Sequence, residues 1–192
     1  MTRKRYLWKL THSDVQLGDR TLIAGIVDLA RASEPDRVFA QALQAEELGA
    51  GLLKLSGEDD PRVLVPVLKR LHGHVAVPVM VTTGRAGIAE RSIQLGAAII
   101  CDPWSLSLDP ELARVASRLR AGLVLAHMRG DPEAWARQAP APDPVARMLR
   151  DLEAAVLRAR RAGVEPGQLA VDPGLGLGKR REENAAVLAQ LQ

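Results

Sequence analysis

The sequence predicts an α/β fold in which parallel strands are joined by crossover helices, and three observations predict it. Short apolar, β-branched runs alternate with amphipathic stretches from Thr21 to the carboxyl terminus, the pattern of repeated βα units. The amphipathic stretches carry helix punctuation: Asp109-Pro110 and Asp143-Pro144 read as an N-cap followed by proline at the first helical position, where a missing amide donor costs nothing. Gly49, Gly73, Gly96 and Gly163 each stand where a left-handed residue would close a helix.

Taken in order, the expected strands are Leu22–Leu29, Gly51–Leu55, Val75–Thr82, Ala98–Cys101, Gly122–His127 and Leu169–Asp172. Apolar residues at spacings of three and four predict helices over Pro35–Leu48, Pro61–Leu71, Ala86–Leu95, Pro110–Leu119 and Pro144–Ala162, with a last segment from Glu182 to Leu191. The alanine- and proline-rich stretch Arg137–Pro144 is the longest expected loop. Six strand–helix units fit either an open doubly wound sheet or an incomplete (β/α)8 barrel, and periodicity does not choose between them. No dinucleotide fingerprint follows the first strand, and Gly174-x-Gly176-x-Gly178-Lys179 has neither dinucleotide nor Walker spacing.

A chain of 192 residues, 47% hydrophobic, is long enough for a sizeable core, and one domain over residues 1–192 is expected. Lys and Arg total 26 against 23 acidic residues, and the basic clusters at Arg3–Arg5, Arg158–Arg161 and Lys179–Arg181 lack interleaved aromatics. They read as solvated faces and helix ends, so no nucleic-acid partner is expected. The lone cysteine, Cys101, forms no internal disulfide, and no apolar run spans a bilayer. A soluble cytoplasmic protein without a membrane partner is the expectation.

Polar residues gather where the strands end: Asp28, Glu58, Thr82-Thr83, Cys101-Asp102, His127-Met128-Arg129 and Asp172. In a barrel these converge on the face that builds active sites. Asp172, in Asp-Pro-Gly after an apolar strand, aims a carboxylate at a glycine-lined cavity and suits the paired donors of an amino-pyrimidinone edge. Asp28 could ligate magnesium, and His127 could act as a base or a diphosphate donor. Lys179, beside a glycine-rich turn, is a candidate phosphate contact.

Four segments carry a family resemblance: Arg20–Val27, Gly96–Ile100, His127-Met128-Arg129-Gly130 and Asp172-Pro173-Gly174-Leu175-Gly176-Leu177-Gly178-Lys179. Across nearly its full length the chain resembles dihydropteroate synthase. That resemblance implies a TIM barrel that binds 6-hydroxymethyl-dihydropterin diphosphate and joins it to p-aminobenzoate with magnesium in folate synthesis. It implies pterin contacts from Thr82, Cys101, Asp172 and Gly176, a further substrate contact from Lys179, and magnesium at Asp28.

The residues also depart from the family pattern. Asp28 stands for an asparagine, and the loop from Leu29 to Glu34 is short. Ser56–Pro61 replaces Gly-Gly-Glu-Ser-Thr-Arg-Pro, Thr82 replaces a pterin-binding aspartate, Cys101 replaces an asparagine, and Leu177 replaces an aromatic residue. The family continues into a seventh and an eighth strand, so the resemblance leaves three expectations open: a partner chain or second copy that completes the barrel, a remnant that closes differently, or a truncated gene product. Two functions follow from it: a dihydropteroate synthase-like protein degenerate in catalysis, and a non-catalytic pterin-binding or partner-assembly homologue.

Overall fold

The computed structural model describes residues 4–12, 14–30, 34–57 and 59–191. Glu58 and residues 31–33 of the loop after the first parallel strand, both singled out in the sequence, lie outside the described residues. Six parallel strands lie side by side in chain order: β3 (Ala24–Asp28), β4 (Leu52–Ser56), β5 (Val79–Thr82), β6 (Ile99–Asp102), β7 (Gly122–Ala126) and β8 (Leu169–Asp172). An antiparallel hairpin, β1 (Tyr6–Lys9) with β2 (Asp14–Leu17), precedes them. Between successive strands run α1 (Pro35–Glu47), α2 (Pro61–Leu71), α3 (Ala86–Gln94), α4 (Glu111–Arg118) and α5 (Pro144–Arg161), and α6 (Arg181–Leu188) follows β8.

The sequential strand order has no switch point, so the sheet winds in one direction and the doubly wound alternative is excluded. It is the α/β architecture of a (β/α)8 barrel with about six units present. The strands end within a residue or two of their expected limits, except that β5 starts only at Val79, after Pro78. The four helix-closing glycines have φ between +76° and +101°. Asp143 accepts the amide of Ala146 as expected of an N-cap. Asp109 does more, accepting the amide of Glu111 and that of Ala86 at the start of α3.

Alternation divides the strand side chains between two layers. Leu53, Leu55, Val81, Ile100, Leu123 and Leu125 pack with α1 to α5 in the larger core. Leu52, Met80, Ile99, Cys101, Val124, Ala126 and Ala170 face the other way into the lumen. The hairpin, which the mixed pattern of Tyr6–Arg20 did not reveal, closes the lumen at the amino ends of the strands. Trp8 and Leu10 enter the lumen cluster, and the Trp8 indole donates to the Gln168 carbonyl at 2.9 Å. Because β3 and β8 each pair on one side only, Ile26 on the lumen face of β3 stays 68% exposed and Val171 on β8 53%.

Candidate functional site

The carboxyl ends of the strands open the lumen opposite the hairpin, and alternation decides which polar residues enter it. Asp172 shares the face of Ala170, Thr82 that of Met80, and Asp28 that of Ile26, while Cys101 is itself part of the lumen cluster. Asp172 is half-buried; its Oδ1 accepts the Gly174 amide at 2.7 Å, which leaves Oδ2 for another donor. The Thr82 hydroxyl is buried without a hydrogen-bond partner among the described residues. Burial pushes the Cys101 thiol up to about 11, against the opposing pull of Lys54, so this side chain is a neutral thiol at physiological pH. Asp28, at the end of β3, accepts the Ala30 amide at 3.0 Å.

Lys54 went unnoticed in the sequence because it sits inside the apolar run Leu52–Leu55. The flanking Leu53 and Leu55 belong to the helix-side core and Leu52 to the lumen, so Lys54 projects into the lumen. Its ammonium lies near enough to the Cys101 thiol for its charge to pull against the effect of burial there.

The glycine-rich turn after β8 forms the remaining wall. Gly174, Gly176 and Gly178 have φ of +66°, +79° and +74°. A Cβ on Gly174 would run into the His127 carbonyl, and one on Gly178 into the Arg129 carbonyl, so only glycine lets the turn lie against the end of β7. Lys179 fastens it: Nζ donates to the carbonyls of His127 and Gly174, both at 2.8 Å, and burial lowers its pKa to about 8. Two of its three donors are thus committed to the backbone. Gly176 is exposed, and its amide donates to Asn184 Oδ1 at 3.0 Å. Leu177 packs on the lumen cluster.

Behind this turn lies a buried ion pair. Arg129 Nη1 reaches Glu183 Oε1 and Oε2 at 2.7 and 2.9 Å, and a second guanidinium nitrogen donates to the Ala139 carbonyl. Burial acts to raise the Glu183 pKa, but the amides of Ala141 and Arg180 and the Arg129 charge outweigh it and hold the carboxyl down. The other strand-end candidates also serve structure. Thr83 donates to Asp59 at 2.8 Å and accepts the Arg85 amide. Buried Asp102 accepts the amides of Trp104 and Leu106, holding a turn in which Ser105 and Leu106 have φ of +48° and +66°. His127 points away from the lumen, with Nε2 3.2 Å from Asp151 of α5, a position that does not suit a diphosphate contact.

The pterin-binding enzyme family profile matches residues 44–192, more than three quarters of the chain. The chain belongs to the pterin-binding enzyme family. Relatives include the dihydropteroate synthase of Bacillus subtilis strain 168, 30% identical over 194 residues, covering 91% of this chain and 66% of that one. That of Staphylococcus haemolyticus is 30% identical over 192 residues, 90% of this chain and 69% of its own. Among solved pterin-binding structures, dihydropteroate synthase from Thermus thermophilus in complex with 6HMPPP superposes with a TM-score of 0.84 at 33% identity, covering 96% of this chain and 70% of that one. The Xanthomonas albilineans enzyme in complex with 7,8-dihydropteroate gives 0.84 at 29%, covering 95% and 71%. The chain spans about two thirds of the length of the curated relatives it matches, 67% and 66% for the first two. No helix among the described residues is long and apolar enough to cross a membrane.

Proposed function

We propose that this chain binds a pterin of the kind that dihydropteroate synthases act on, in the lumen, and that it condenses it with p-aminobenzoate slowly at best. The observation that carries this reading is Asp172, a half-buried lumen carboxylate with one oxygen held by the turn and the other open to ligand. Two N–H donors on an amino-pyrimidinone edge match such a carboxylate. Solved relatives that superpose on this chain hold 6HMPPP and 7,8-dihydropteroate, which supports the ligand class.

Slow turnover follows from the lumen's other walls. A threonine hydroxyl and a protonated thiol stand where the resemblance calls for an aspartate and an asparagine, and each unmatched ligand group costs about 1–3 kcal/mol. Magnesium belongs to the same proposal. The described residues hold no cluster of three His, Cys, Asp or Glu side chains, but one hard carboxylate such as Asp28 suits an ion held otherwise by water and substrate phosphates. Bound there, the ion would neutralise charge on a leaving diphosphate. The unpaired edges of β3 and β8 support a covering partner chain or second copy, which light scattering would read as a mass above the 20.7 kDa of the chain.

Titration of the purified chain with 6-hydroxymethyl-7,8-dihydropterin tests the reading. Saturable binding that falls at least about tenfold in Asp172→Asn is the expected result. No binding, or binding indifferent to that substitution, would sink it. Rapid pyrophosphate release dependent on p-aminobenzoate would refute the slow-turnover half alone.

A further inference from the structure

The lumen contains a cation that the pterin-binding reading does not use. Lys54 is fixed on β4 by the alternation that buries Leu53 and Leu55 on the helix side and Leu52 in the lumen. It makes none of the ion pairs among the described residues. Its neighbour is Cys101 on β6, a neutral thiol that accepts weakly and leaves most of the ammonium's capacity unspent. On the far side of β6, two strands along, stands Asp172 on β8. The Cys101 thiol feels both charges, Lys54 lowering its pKa and Asp172 raising it. Between them, the buried Thr82 hydroxyl on β5 has no hydrogen-bond partner among the described residues. The lumen thus has an acceptor pole at Asp172 and a donor pole at Lys54, separated by small neutral groups.

We propose that Lys54 is the specificity-determining residue of the lumen: its ammonium, set across β6 from the Asp172 carboxylate, selects flat bicyclic ligands that carry a ring carbonyl as well as amino donors. The assignment rests on the pterin-binding reading of the same lumen. A carbonyl and a ring nitrogen can both accept from an ammonium, and a charge-assisted hydrogen bond of this kind is worth more inside a protein than in water. A ligand that keeps the ring N–H and the amino donors but carries a thiocarbonyl in place of the carbonyl would satisfy Asp172 and offer Lys54 only a weak acceptor. Discrimination then comes from the unpaired cation rather than from shape.

The test compares two probes, pterin, which carries the 4-carbonyl, and 4-thiopterin, whose thione keeps the ring N–H and the amino donors but accepts hydrogen bonds weakly, against four proteins: wild type, Lys54→Met, Lys54→Arg and Asp172→Asn. Wild type is expected to prefer pterin by about tenfold or more. In Lys54→Met, pterin affinity is expected to fall roughly ten- to hundredfold, the worth of one charged hydrogen bond, while 4-thiopterin affinity falls by no more than about threefold. Lys54→Arg is expected to restore part of the preference. Should Lys54→Met fail to fold by circular dichroism, Lys54→Gln makes the same comparison, with a loss of about tenfold expected. Equal weakening of both probes, or an unchanged preference for pterin, would overturn the assignment. Asp172→Asn weakens both probes if the anchor is correct. If it weakens neither while the Lys54 variants behave as stated, the anchor fails and Lys54 stands. If wild type binds neither probe, both fall together.

Discussion

The two sides of the lumen treat their polar residues in opposite ways. On the β7–β8 side, Lys179, Arg129, Glu183 and Asn184 bond one another and the backbone, through the two carbonyls held by Lys179 and the two carboxylate oxygens held by Arg129, although Arg129 Nε and Trp135 Nε1 stay buried without a hydrogen-bond partner among the described residues. On the β4–β6 side, Lys54 makes no ion pair and the Thr82 hydroxyl no hydrogen bond among the described residues. A network of polar groups that bind one another and the backbone builds a rigid wall. Unsaturated ones in a concave space are costly to keep and are the groups that a ligand can complete. The motifs that betray the family, His-Met-Arg-Gly and the glycine-rich turn, therefore lie mostly on the scaffold side, and the residues that set this chain apart lie on the binding side.

Mutations on the two sides should separate accordingly. The largest effect is expected from Arg129→Ala, which strands the buried Glu183 carboxylate. Denaturant unfolding should show a loss of about 3–5 kcal/mol, and a loss below about 1 kcal/mol would mean that the pair is dispensable. Gly174→Ala comes next. A side chain there must adopt a positive φ and meet the His127 carbonyl, so a loss of about 1–3 kcal/mol is expected. Thermal melts that match wild type would show that the turn can move.

A smaller effect is expected from pH. Burial, followed by the Lys179 charge, holds His127 below its ordinary value of 6.5 while Asp151 pulls the other way. Below pH 6.5 the unfolded chain takes up a proton that the folded chain resists, so stability should fall as the pH drops from about 6.5 towards 5. This fall should flatten in His127→Gln, and an equal slope in that variant would assign it elsewhere. The smallest effect belongs to Thr82→Val, which removes an unpartnered hydroxyl. Stability should change by no more than about 0.5 kcal/mol, or rise, while pterin affinity falls.

How much of this was legible in the sequence depended on what each signal measures. Strand and helix positions were readable because apolar period and Asp-Pro or glycine punctuation are local. The hairpin was not, because of its strand β1 only Trp8 is buried, and no alternation survives that. Asp172, Thr82, Cys101 and Asp28 were located by being last on their strands, which brings them to one rim whatever the details. That same rule also pointed to His127, Thr83 and Asp102, which face the helices or cap turns; telling lumen from helix side requires the packing, since alternation alone gives two faces without saying which is inside. Lys179 looked like a phosphate ligand because glycines flank it, yet those glycines expose the carbonyls that it binds. Lys54 was hidden for the opposite reason: one cation in an apolar strand reads as an exception until the lumen is seen.

Hydrogen–deuterium exchange of the chain with and without saturating 6-hydroxymethyl-7,8-dihydropterin tests the central contrast most directly. The account predicts added protection at the lumen ends of β4, β5, β6 and β8, with little change around Arg129 and Glu183, which already hold each other. Protection concentrated behind the glycine-rich turn or around His127, with the ends of β4 to β6 unchanged, would contradict it.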